Sequence, residues 1–101
     1  MKHENLKKLL SLMANYVEHV VTEEDDANAL EEIQIFIYNV SNVANQPISD
    51  EEKAWMYSET VAALNCGSDE AQKAAFLIRL KALASGDDEL AEKIEYLHEV
   101  L

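Results

Sequence analysis

Apolar residues recur at steps of three and four positions along most of this chain, and only two Gly and one Pro interrupt the pattern. That spacing places side chains on one face of an α-helix, whereas a half-buried strand needs strict alternation. We therefore predict an all-α fold, a compact bundle of four to five helices in which residues 1–101 form a single domain. With 101 residues and 49% apolar composition, the chain can bury a core without disulfides or metals.

Helix-start and helix-end residues divide this pattern into five segments. Proline excludes helical geometry at the residue before it, Ser and Asp favour helix starts, and Gly favours the left-handed position after a helix. These signals predict a third helix after residue 49, a fourth near 69–84 and a fifth near 88–101. The residues that carry the signals are the break at Asn45, Gln46, Pro47 and Ile48, the capping-box pair Ser49 and Glu52, the N-cap candidates Ser68 and Asp87 or Asp88, and the terminal glycines Gly67 and Gly86.

The first three helices each have a predicted core face. Residues 33–38 also alternate in a way that suits a strand, but the length of their segment and its lack of turn residues favour a helix. The predicted faces are Leu6, Leu9, Leu10, Met13, Val17 and Val20 on the first helix, Leu30, Ile33, Phe36, Ile37, Val40, Val43 and Ala44 on the second, and Ala54, Tyr57, Val61 and Leu64 on the third.

The fourth helix is apolar on two opposed sides, which a helix at the surface of a bundle does not need. Either it is the central helix of a monomer, the interpretation we favour, or one side meets a second subunit in a homodimer. The two sides are Ala71, Ala74, Ala75, Ile78 and Ala82, and opposite them Phe76, Leu80 and Leu83.

Residues 9–52, a stretch of 44, contain ten Asp and Glu and no Lys or Arg, in a chain of net charge −12. Such a surface repels nucleic acid and anionic membranes and attracts basic protein surfaces. Acids at helix starts also stabilise the helix macrodipole, which accounts for much of their clustering. The dipole does not account for the missing bases, because it favours Lys or Arg in last turns such as 40–44. Partner binding and solubility remain the two explanations of the surplus.

Three large apolar side chains are predicted to project away from the core. Ile35 and Tyr38 point away from the core face of the second helix at the 100° step of an α-helix. Trp55 lies on the side of Glu59, where it either anchors an interface or folds back over the loop at Pro47. The predicted partner-binding residues are Glu23, Glu24, Asp25, Asp26, Glu31, Glu32, Ile35, Tyr38, Asn42, Trp55 and Glu59.

Residues that could carry chemistry are few, so we predict no enzyme, no cofactor and no metal. Glu95 and His98 have the spacing of a di-iron ligand pair, but the chain has no second Glu-x-x-His, and a hydrogen-bonded core histidine is the better interpretation. Cys66 stands at a helix C-terminus, where the dipole should raise its thiol pKa. A single Cys, no signal-like segment and no apolar run longer than residues 74–78 favour a reducing, cytoplasmic location.

No residue motif identifies a family. In charge and size alone, the chain resembles small acidic helical proteins that block nucleases, such as bacteriocin and contact-toxin immunity proteins or phage-encoded inhibitors. The resemblance implies a non-enzymatic inhibitor whose partner is a basic protein such as a nuclease or toxin domain, with no direct contact to nucleic acid or membrane. The competing expectation is a helical adaptor or homo-oligomer that assembles through the fourth helix.

Overall fold

The computed structural model describes residues 3–44 and 46–101, which contain five α-helices and, within those ranges, no strand. The all-α prediction is confirmed, and residues 33–38 are helical. Asn45, one residue of the predicted break, lies outside the described residues. The helices are α1 (His3–Glu23), α2 (Asp26–Val43), α3 (Asp50–Cys66), α4 (Asp69–Ala84) and α5 (Asp88–Val100).

The predicted helix caps are confirmed, except that only the Ser49 half of the capping box with Glu52 forms. Gly67 and Gly86 have φ of 75° and 83°, the left-handed region that glycine adopts without a steric penalty. A side chain at the start of each of α2, α3, α4 and α5 accepts one backbone N–H that has no partner inside its helix. The side chain of Ser49 accepts from Glu52 at 3.2 Å, that of Ser68 from Ala71 at 3.1 Å, and that of Asp87 from Leu90 at 3.1 Å.

Helix α4 is the centre of the fold, because it packs against each of the other four helices. Its opposed apolar sides belong to two core clusters. Leu80 and Leu83 are 0% and 1% exposed, so the side considered for a second subunit is covered within the chain. One cluster joins Leu80, Leu83 and Ala84 to Leu9 of α1, Phe36 and Val40 of α2 and Ala91 of α5; the other joins Ile78 and Ala82 to Met56 of α3 and to Leu90 and Ile94 of α5.

Some predicted core residues are exposed instead. Leu10 and Leu30 are each 59% exposed, and Leu6 and Ile37 are exposed as well. Helices α1 and α2 share one side of α4, so the contact buries only part of the apolar face of each helix. On α3 the buried side chains are Met56 and Thr60, whereas the predicted Ala54 and Val61 are exposed and Tyr57 and Leu64 are half-buried. Apolar residues are spread around α3, so spacing alone did not define its buried face.

Candidate partner-binding surface

Four of the predicted binding residues form one stripe along α2. Glu31, Ile35, Tyr38 and Asn42 follow one another at steps of four, three and four, which places them on a single helix face. Ile35 is 55% exposed and Tyr38 is 66% exposed, while Phe36 on the opposite side of α2 is buried in the core. The prediction that Ile35 and Tyr38 project outward is confirmed. We call these four residues the α2 stripe.

The acidic run Glu23, Glu24, Asp25 and Asp26 forms the turn between α1 and α2, and all four residues are exposed. Asp25 has a structural role there, because it is the N-cap of α2. Its Oδ1 accepts the backbone N–H of Asn28 at 2.9 Å, and its Oδ2 accepts the Asn28 side-chain amide at 3.1 Å. The negative charge of the turn is therefore partly explained by helix capping.

Glu32 differs from the other predicted acids, because it is half-buried and bonded inside the fold. Its Oε1 accepts from the Tyr16 hydroxyl at 3.0 Å and from the ammonium of Lys73. The Lys73 hydrogen bond holds the pKa of Glu32 below its ordinary value, although burial opposes this shift. Burial, followed by the bond to Glu32, raises the pKa of Tyr16. Glu32 thus ties α2 to α1 and α4, and its charge is neutralised by Lys73.

Trp55 and Glu59 form a second surface patch, on α3. They lie one helical turn apart, and Trp55 is 52% exposed. Helix α3 packs on α4 and α5, whereas α2 packs on α1 and α4. The predicted binding residues therefore lie in two separate regions, one on α1 and α2 and the other on α3.

A groove that sequence reasoning missed lies beside the acidic turn. It runs between the C-terminal half of α1 and the first turns of α2 and α4, and its volume is about 650 Å³. Tyr16 and Phe76 contribute aromatic rings whose centroids are 5.6 Å apart, and Tyr16 is also 4.4 Å from the ring of Phe36. The available signal was the position of Tyr16, three residues after Met13 and four before Val20, which continues the apolar spacing of α1.

Glu95 and His98 serve the packing of the fold. Glu95 is only 8% exposed, and its Oε2 accepts from Arg79 Nη2 at 2.8 Å and from Lys8 Nζ at 3.1 Å. Burial would raise the pKa of Glu95, but the hydrogen bonds from Arg79 and Lys8 outweigh it and leave that pKa below its ordinary value. Within residues 3–44 and 46–101, no group of three or more His, Cys, Asp or Glu is placed to hold a metal ion.

His98 is half-buried at the level of Ala75 on the neighbouring helix. It hydrogen-bonds the backbone of Ala75, whereas its Nε2 is buried and has no hydrogen-bond partner in the described part of the chain. Burial lowers the pKa of His98, so the ring is held neutral. The predicted hydrogen-bonded core histidine is confirmed only in part, because His98 is half-buried and one of its two ring nitrogens has no hydrogen-bond partner among the described residues.

Cys66 is exposed, as its place at the end of α3 suggests, but its pKa shift is opposite to the prediction. The Cys66 thiol donates to Ser68 Oγ at 3.6 Å. Once the thiol is ionised, the hydroxyl and then the backbone N–H of Ser68 act as donors to the thiolate, and this lowers the thiol pKa. These local donors favour the thiolate, and the prediction from the helix dipole had left them out.

No helix in the described ranges has the length and apolar character required to cross a membrane. No protein-family model, curated protein or solved structure matches this chain, so similarity transfers no function to it.

Proposed function

We propose that this chain is a non-enzymatic binding protein that covers a basic surface of another protein with its α1–α2 hairpin. One observation carries the proposal: the hairpin combines exposed apolar side chains with acids in the stretch that has no Lys or Arg. Solubility alone would explain exposed acids, but it does not explain exposed Ile35 and Tyr38 beside them. Desolvated aromatic and aliphatic anchors within a charged rim are the usual anatomy of a protein interface.

The partner we propose handles nucleic acid, as a nuclease or toxin domain does, and this chain acts as its immunity protein or as a phage-type inhibitor. A protein that binds phosphates presents clustered Lys and Arg, and that surface attracts the acidic hairpin over roughly a Debye length, about 8 Å at physiological salt. Glu23, Glu24 and Asp26 would steer the encounter, and Ile35 and Tyr38 would slow dissociation. Covering the basic surface would exclude nucleic acid from it.

Trp55 and Glu59 extend the same chemistry to α3, with an aromatic anchor next to an acid. We include them as a second contact, because the first turn of α3 adds three more acids in Asp50, Glu51 and Glu52. A cytoplasmic location fits this function, since a free and exposed Cys66 is maintained in a reducing compartment.

The competing proposal was assembly through the fourth helix. Leu80 and Leu83 are buried against α1 and α2, so α4 offers no apolar side formed by these residues to a second copy. We therefore favour a monomer that binds a different protein.

Affinity capture from the native host tests this function when two matched variants are compared with the wild type. Ile35→Ala with Tyr38→Ala removes the anchors of the α2 stripe. Tyr96→Ala with Val100→Ala removes an equally exposed aromatic and aliphatic pair from α5. We expect a basic protein to be retained by the wild type and the α5 variant and lost from the α2 variant. Retention of the same protein by all three baits would contradict the proposal.

A further inference from the structure

The groove beside the acidic turn has an apolar, aromatic floor. Tyr16 and Phe76 stack with their ring planes 23° apart, and Val20 also lines the groove. Both aromatic side chains are half-buried, so they pack against the core and also reach the groove. Such a floor suits a flat group that can lie against aromatic carbon.

The rim of the groove is negatively charged. Glu23, Glu24 and Asp69 line it, and none of the three has an ion-pair partner among residues 3–44 and 46–101. The groove also contains Lys73, whose ammonium is hydrogen-bonded to Glu32 and interacts electrostatically with Glu24. The lining therefore has four carboxylates and one ammonium, a formal charge of −3 around an aromatic floor.

We propose that this groove receives an arginine side chain from the basic partner. The guanidinium is planar, stacks on aromatic faces and donates paired hydrogen bonds to carboxylates, so it matches both the floor and the rim. A lysine ammonium satisfies the charge but is strongly hydrated and cannot stack, so it fits less well. The inference rests on the proposed function, and it names the side chain that the partner inserts.

A peptide titration followed by nuclear magnetic resonance tests this inference without the natural partner. The probes are acetyl-Gly-Arg-Gly-amide and the same peptide with Lys or with citrulline, which keeps the shape of Arg and lacks its charge. We expect saturable shifts at the groove residues Asn15, His19 and Gln72 with the Arg peptide, weaker binding of the Lys peptide, and no saturation with citrulline. Equal shifts with citrulline, or Arg-peptide shifts spread over the acidic surface, would overturn the inference.

Two double variants with the same change in net charge separate groove binding from general attraction. Glu24→Gln with Asp69→Asn removes two rim carboxylates, and it leaves the N-cap Ser68 intact. Glu4→Gln with Glu99→Gln removes two exposed acids from α1 and α5, away from the groove and from the proposed contacts. We expect the groove variant to bind the Arg peptide about fivefold more weakly, and the variant of Glu4 and Glu99 to bind it like the wild type. Equal weakening in both variants would refute the groove as a site.

The outcomes also separate this inference from the proposed function. If the Arg peptide does not bind the groove, but Ile35→Ala with Tyr38→Ala still abolishes capture of a basic protein, the inference is wrong and the proposed function stands. If the Arg peptide binds the groove and capture is unaffected by the α2 variant, the groove is retained and the proposed role of the α2 stripe is lost.

Discussion

Replacing Leu80 by Ala should destabilise the fold far more than the same substitution at Leu30. Leu80 of α4 is 0% exposed in a cluster with residues of α1, α2 and α5, whereas Leu30 is 59% exposed, although its spacing places it on the apolar stripe of α2. Leu→Ala removes three buried carbons at position 80, worth about 2.4 kcal/mol in transfer free energy at about 0.8 kcal/mol each. The remaining cavity increases the loss to about 3–5 kcal/mol. At Leu30 we expect a change within about 0.5 kcal/mol.

Urea unfolding followed by the helical circular dichroism signal measures both differences, provided that the slope against urea is unchanged. The expected loss at Leu80 corresponds to a fall in Tm of about 12–40 °C for a domain of this size, at about 4–8 °C per kcal/mol. The refuting result is equal destabilisation by the two substitutions, because it would mean that Leu30 is as buried as Leu80. A loss below about 1 kcal/mol for Leu80→Ala would show that α4 is not the centre of the fold.

Three further substitutions test buried polar groups. Thr60 is 0% exposed and its Oγ1 has no partner among the described residues, so Thr60→Val should raise the free energy of unfolding by up to about 1 kcal/mol; a loss would reveal a bound partner. The pKa of Glu95 is lower in the folded protein than its ordinary value of 4.5, so the ionised side chain stabilises the fold fully above pH 4.5, and this stabilisation is lost as the pH falls through the folded-state pKa. Glu95→Gln should therefore be less stable than the wild type at pH 7 and lose less stability between pH 5 and pH 3, as measured by urea unfolding. Burial lowers the pKa of His98, so the folded wild type loses stability as the pH falls below 6.5 and the unfolded chain takes up a proton. His98→Asn should lose less stability over this range, and an unchanged pH profile would contradict a neutral His98.

The helices and their ends could be predicted from the sequence because they depend on local chemistry. Ser49 and Ser68 cap helices through their own backbone neighbourhood, and Gly67 adopts a conformation that few other residues tolerate. The central place of α4 could also be predicted, since its two apolar sides require two layers of neighbours. The sequence could not predict which part of each apolar stripe is buried, because that depends on how the helices pack. Leu10 and Leu30 are exposed because α1 and α2 share one side of α4.

The α2 stripe could be predicted from helix geometry alone, since Ile35 and Tyr38 lie about 140–200° from Ile33 in any α-helix. The groove could not, because it joins the end of α1 to the start of α4 across more than 40 positions of sequence. The internal role of Glu32 was missed for the same reason, since its partner Lys73 lies 41 residues away. Charge counted along the sequence therefore overestimates the free negative charge at that position.

The most direct measurement of the central claim is the association rate with the captured partner across a salt series, compared for the wild type and a charge variant. Glu23→Gln, Glu24→Gln and Asp26→Asn together remove charge from the turn and leave the Asp25 cap in place. Steered association predicts a wild-type rate that falls steeply with salt, and a variant rate that is about tenfold lower at low salt and falls less steeply with salt. A rate indifferent to salt, or identical in the two proteins, would contradict the claim and leave solubility as the explanation of the acidic surface.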